Sequence, residues 1–198
     1  MRVSADARAL VSPPAAFRDL AREPCSGAWV LMRRPLALLV AIGSTVSILA
    51  GGRLTARLVL DGAISFAFIP LFEIAALALV VRRMPQRAPF AHAVDLLFAA
   101  CGPWMAWMLA ASALASTVAA ENLPRWTSRP RLWIVAAASA AAIAWFARIE
   151  FHVFRDGLAR ARAEALRDLA LHRSIAWSAE TLYFFGFALW PMIVGMLR

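Results

Sequence analysis

The sequence predicts an all-α, polytopic integral membrane bundle of about five transmembrane helices plus a cytoplasmic amphipathic helix. Three observations carry this. Hydrophobic residues make up 62% of the 198 residues, against ~45–50% in a soluble domain, and the surplus needs lipid to face. Charged residues are 17% and gather between long apolar runs. Every one of the 21 basic residues is arginine, clustered where those runs end, as membrane topology requires.

Residues 1–34 read as a cytoplasmic lead-in and residues 35–198 as the transmembrane domain. In the lead-in, Ser12-Pro13-Pro14 is a helix-start signal, because proline fits a first turn that has no use for its missing N–H. Phe17, Leu20 and Ala21 share a face of the short helix that follows. That face suits either the membrane surface or the bundle itself. No apolar stretch of signal-peptide kind is present in residues 1–27, which contain Asp6, Asp19 and Glu23.

The first span is expected at about 35–51. Its 17 residues would rise only ~26 Å at ~1.5 Å each, and Arg33, Arg34 and Arg53 bracket it. Gly43, Ser47 and Gly51 recur every four residues, a small-residue face for close helix packing. The second span is expected at about 58–81, with Pro70 kinking it near Phe66. The third is expected at about 94–119 and contains Pro103. The fourth, about 132–150, has a short apolar run and spans only if its helix continues toward Phe154. The fifth is expected at about 175–197.

Residues 151–173 form the predicted amphipathic segment. Phe151, Phe154, Leu158, Ala161, Ala165 and Leu169 fall on one stripe of a helix. Arg155, Arg160, Arg162, Arg167 and Arg173 fall on the other face, interleaved with acids. Phe151, Phe154, Leu158, Arg155, Arg160 and Arg162 are the expected partner or lipid contacts. The alternative is an extension of the fourth span, packed on its own bundle.

Arginine placement sets the expected orientation. With five spans, 15 of the 21 arginines fall on the side of the lead-in. The positive-inside rule then puts the N-terminus in the cytoplasm and the C-terminus outside, periplasmic or extracellular. The alanine-rich, lysine-free composition suggests a bacterial inner membrane. Trp29, Trp145 and Trp177 would mark the inner interface, and Trp126 and Trp133 the outer one. The net charge of +9 is accounted for by this topology and by anionic lipid, so no nucleic-acid partner is expected.

No catalytic or nucleotide-binding motif is present, no cofactor is expected, and the two cysteines, Cys25 and Cys101, make no disulfide framework. The informative residues are the ionisable ones inside spans, because charge in hydrocarbon is costly. These are Glu73, Glu180, Asp95 and Asp61. Glu73 lies three residues after Pro70; a kink beside a carboxyl group makes either a proton or cation site or a hydrogen bond to a neighbouring helix. His92, Asp95, Glu150, His152, His172 and Glu180 all fall toward the inner side, but their spacings match no metal-ligand motif.

Residues 12–24, with a proline pair, Phe17 and then Pro24 before the first span, resemble the opening of bacterial Yip-type membrane proteins. Ala88-Pro89-Phe90, Asp95 and Pro103 are similar to that family's approach to its third span. The acidic motif and the glycine–tyrosine pair of the family are missing here. The resemblance implies five spans and a membrane-organising adaptor with partners in the bilayer, and it carries over no catalytic residue.

Three functions fit the sequence. One is a non-enzymatic scaffold or accessory subunit, with membrane lipids and another membrane protein or a second copy of itself as partners. It would work through the 151–173 helix and the Gly43–Ser47–Gly51 face. A second is a small transporter or channel subunit with Glu73 as its coupling carboxyl. A third is a membrane enzyme with a cytoplasmic-face metal site.

Overall fold

The computed structural model describes residues 8–22, 28–84, 89–116, 130–190 and 194–195, and every regular element among them is helical. Three of its helical stretches are long and apolar enough to cross a membrane: Leu31–Gly51, Ala56–Val81 and Phe90–Ser116. Large apolar side chains such as Leu60, Ile64 and Leu71 are more than half exposed along the second. An aqueous surface disfavours such a face and hydrocarbon accepts it.

After a helical stretch at residues 8–11, α1 (Pro13–Arg22) starts where the proline pair predicts. It buries Ala16 and Phe17 completely, against Leu96, Ala99, Ile149 and Val153. The lead-in helix is therefore docked on the bundle rather than laid on a lipid surface. The second helix, α2 (Ala28–Gly51), begins seven residues before the expected span and carries Pro35 inside it. Arg33 and Arg34 thus belong to the helix, and both reach Asp95 across the bundle, Nε to Oδ1 at 3.0 and 3.1 Å.

The second span is two helices. In α3 (Ala56–Ser65) the Thr55 hydroxyl accepts from the Leu58 amide at 3.4 Å, an N-cap that satisfies one of the helix's open donors. The chain then turns at Phe66–Ala67 before α4 (Phe68–Val81). Pro70 is the cause: it cannot donate to the Phe66 carbonyl, which instead accepts from Ile69 N at 3.1 Å. The third span is split the same way. After α5 (Phe90–Ala99) comes a turn at Ala100–Cys101, then α6 (Gly102–Ser116), with Pro103 in its first turn. This stretch starts at Phe90, ahead of the expected 94.

The fourth expected span is α7 (Pro130–His152), 23 residues long. The start of the fifth expected span lies on α8 (Arg162–Tyr183), which continues into a wider π-helical turn at Phe184–Leu189; neither α7 nor α8 is among the stretches long and apolar enough to cross a membrane. Between α7 and α8 the single amphipathic helix expected over 151–173 is absent. The chain instead makes a π-helical turn at Val153–Gly157 and reverses through Ala159, whose φ of 52° is left-handed. The apolar stripe is real but faces inward on both limbs of this reversal. Phe154 and Ala165 are fully buried with Leu77, Val80 and Leu97, and Phe151, Leu158 and Leu169 pack against that core. Periodicity alone reads as one helix because both limbs bury against the same core.

Candidate functional site

Glu73 sits on α4, one turn after Pro70, so the break in the second span sets where its carboxyl points. Glu150 lies near the end of α7, and His172 and Arg173 lie midway along α8. The reversal after α7 brings these elements together around Glu73. Arg173 is the hub. Its Nε donates to Glu150 Oε2 at 2.6 Å, its Nη2 to Glu150 Oε1, and its Nη1 to Glu73 Oε1. The pair with Glu150 is a two-pronged fork, the strongest geometry a guanidinium and a carboxylate can form. The guanidinium also lies over the rings of Phe146 at 4.8 Å and Trp177 at 5.7 Å, a cation–π arrangement.

His172 is completely buried. Its Nε2 donates to the backbone carbonyl of Glu73 at 3.1 Å and stands 3.3 Å from Glu73 Oε2. Its Nδ1 faces Glu150 Oε1 at 3.5 Å without hydrogen-bond alignment. With Nε2 carrying the hydrogen, Nδ1 is a lone pair aimed at a carboxylate. Two carboxylates and one guanidinium leave this cluster one positive charge short, which a proton bound within it would supply. Ligand atoms of Glu73, Glu150 and His172 lie within 4.8 Å of one another, near enough to hold a metal. Arg173 already bonds both carboxylates, however, and its charge opposes a dication. The set fits a proton better.

Glu73 and Arg173 line a cavity of about 540 Å³, a size typical of ligand sites at ~300–1,000 Å³. Its wall draws on each of the five expected spans: Ile42 on α2, Phe66 on the α3–α4 turn, Cys101 at the α5–α6 turn, Phe146 on α7 and Trp177 on α8. Both helix breaks thus open onto the cavity. Irregular backbone at membrane depth is tolerated where it lines such a space. Glu180, two turns beyond Arg173, also lines it.

The other sequence candidates are dispersed. Asp95 is buried but held by Arg33 and Arg34. Asp61 is exposed on α3, with Arg57 at 3.8 Å. His92 is buried, and its ring nitrogens have no hydrogen-bond partner among the described residues. His152 pairs locally with Asp156 at 2.7 Å. Arg160 is folded inward onto Asp168 at 3.0 Å and Glu164 at 3.4 Å, so it is not a surface contact. Arg155 and Arg162 are exposed. Phe151, Phe154 and Leu158 are core residues, as described above.

The small-residue face of α2 has an internal use. A Cβ on Gly43 would lie 2.1 Å from the Val59 carbonyl oxygen, and one on Gly62 would lie 3.1 Å from Gly43 Cα. The face therefore packs on α3. Ser47 Oγ donates to the Arg53 carbonyl at 2.9 Å and accepts from Thr55 N at 3.0 Å. A Cβ on Gly51 would meet only the end of the Leu58 side chain, at 2.9 Å. Cys25 and Trp126 lie outside the described residues.

Arg173 is the residue of this cluster that the sequence misplaces, on the polar face of a surface helix. A signal did exist: a buried Glu73 needs a counter-charge, and Arg173 stands two residues before the fifth apolar run.

Comparison with family models, with curated proteins and with solved structures finds no match to this chain. The resemblance of residues 12–24 and 88–103 to Yip-type proteins rests on those residues alone.

Proposed function

We propose that the chain is a five-span carrier of small solutes in a bacterial inner membrane, with its N-terminus cytoplasmic, its C-terminus outside, and Glu73 as its coupling carboxyl. One observation carries this reading. One cavity is lined by residues of all five expected spans, among them Glu73, whose buried carboxylate is held by an arginine from another helix. Ionisable groups at membrane depth mark ion and substrate pathways because their burial cost is otherwise hard to sustain. Two broken helices at the cavity wall support the same reading, since discontinuous helices form many transporter sites.

The scaffold reading loses its two supports. The amphipathic stripe at 151–169 and the Gly43–Ser47 face are both spent within the chain itself. Charge balance at the cluster gives the carrier its coupling step: a proton can complete the set, and loading or emptying the cavity beside Glu73 changes how strongly that proton is held.

The test uses proteoliposomes with an imposed pH gradient and a panel of candidate solutes. A transported solute should release protons through the wild type. Glu73→Gln should abolish that release while leaving the melting temperature close to wild type, because the amide keeps a hydrogen-bond acceptor for Arg173. Proton release in Glu73→Gln equal to wild type would remove Glu73 from coupling.

A further inference from the structure

The wall of the cavity is apolar and aromatic, with Phe66, Trp104, Phe146 and Trp177 among its lining. Three polar atoms at this wall have no hydrogen-bond partner among the described residues: Thr45 Oγ1, Glu73 Oε2 and Glu180 Oε1. Two of the three are carboxyl oxygens. Arg173, the one cation among the described lining residues, directs three donors at Glu150 and Glu73 and lies against two rings. The residues of the lining thus supply buried carboxyl acceptors and π faces around the space, and their described cation is already committed.

We infer that the cavity takes a lipophilic organic cation, an onium or protonated amine centre on an apolar body, with its charge set between Glu73 and Glu180. The inference deepens the carrier reading and rests on the same cavity. A neutral apolar guest would leave the carboxyl oxygens buried and unpaired, which costs free energy. An anion would meet two carboxyl groups with no open cation to receive it. A sugar has more hydroxyls than three polar atoms can satisfy. A lipophilic cation satisfies both halves of the surface, because carboxylates and aromatic faces each attract positive charge.

The decisive probe is a pair of ions of the same shape and opposite charge: tetraphenylphosphonium and tetraphenylborate. Binding is measured by equilibrium dialysis to the full-length protein in lipid nanodiscs, with empty nanodiscs subtracted. The wild type should bind the phosphonium saturably at one site, at least about tenfold more tightly than the borate. Glu180→Gln should weaken the phosphonium by about tenfold without weakening the borate. Equal binding of the two ions by the wild type, or undiminished phosphonium binding in Glu180→Gln, overturns the inference. The carrier reading fails separately: saturable phosphonium binding without any coupled proton movement leaves a cation site that carries nothing. Proton-coupled uptake of a neutral or anionic solute, with no phosphonium binding, keeps the carrier and removes the cation.

Discussion

Where α2 meets α3, Gly43 lies under the Val59 carbonyl and Gly62 lies over Gly43, so two backbones touch with no charge between them. Where α8 meets α4, Arg173 reaches Glu73, and the ring of Tyr183 lies tilted against Phe68 at 4.5 Å and edge-on to Phe72 at 5.8 Å. The first contact leaves no room for anything else and has one arrangement. The second is built from long side chains around a space, and its cost depends on protonation and on what fills the cavity. Close-packed contacts resist change, while a contact made through buried ions has a second state within reach of a single proton. The difference assigns rigidity to the α2–α3 hairpin and any coupled movement to α4, α7 and α8.

The largest expected effect comes from breaking the ionic contact. Arg173→Met leaves Glu150 and Glu73 facing each other with only His172 between them. Stranding buried charges in this way costs about 3–5 kcal/mol. Unfolding in detergent with increasing denaturant should show that loss, and adding Glu150→Gln to the same chain should recover part of it. A loss below about 1 kcal/mol would mean that the cluster is solvated, because exposed pairs have values of that size. The comparison between the two interfaces would then collapse.

Parts of each interface were legible in the sequence, for different reasons. The apolar runs mark the helices, and Pro70 marks the break that aims Glu73, because a missing N–H acts wherever the chain folds. The four-residue spacing of Gly43, Ser47 and Gly51 marks a close-packing face, yet it says nothing about the partner. That partner is Gly62, only 19 positions on from Gly43 but invisible until the hairpin closes. Arg173 and Glu150 were legible only as charges near spans. Their meeting with Glu73, 100 residues from Arg173, depends on the reversal at 153–161. That reversal leaves no mark in the periodicity, since the stripe of Phe154 and Ala165 runs straight through it.

The second effect tests the glycine contact against its own neighbour. Gly43→Ala puts a methyl 2.1 Å from a carbonyl oxygen of α3. Backbone cannot step aside, so the helices must part, at a cost of about 1–3 kcal/mol or more. Gly51→Ala meets only the Leu58 side-chain end at 2.9 Å, which can rotate, and should stay within about 0.5 kcal/mol. Thermal unfolding of the two variants side by side gives the contrast. Equal losses would mean that the close approach at Gly43 is no tighter than the contact at Gly51, since alanine's helix propensity favours both variants alike.

The smallest effect separates the hairpin's closure from its packing. Ser47 is fully buried, and its hydroxyl ties the Arg53 carbonyl to the Thr55 amide across the turn between α2 and α3. Ser47→Ala removes both bonds but leaves the Gly43–Gly62 contact in place. Arg53 is exposed, so its carbonyl can turn to water, and the net cost should be about 1 kcal/mol. Amide exchange should report it locally, with Thr55 losing protection while amides around Gly62 keep theirs. If protection falls along all of α3, the serine and not the glycine pair holds the hairpin shut, and the rigid side of the comparison rests on two hydrogen bonds rather than on backbone contact.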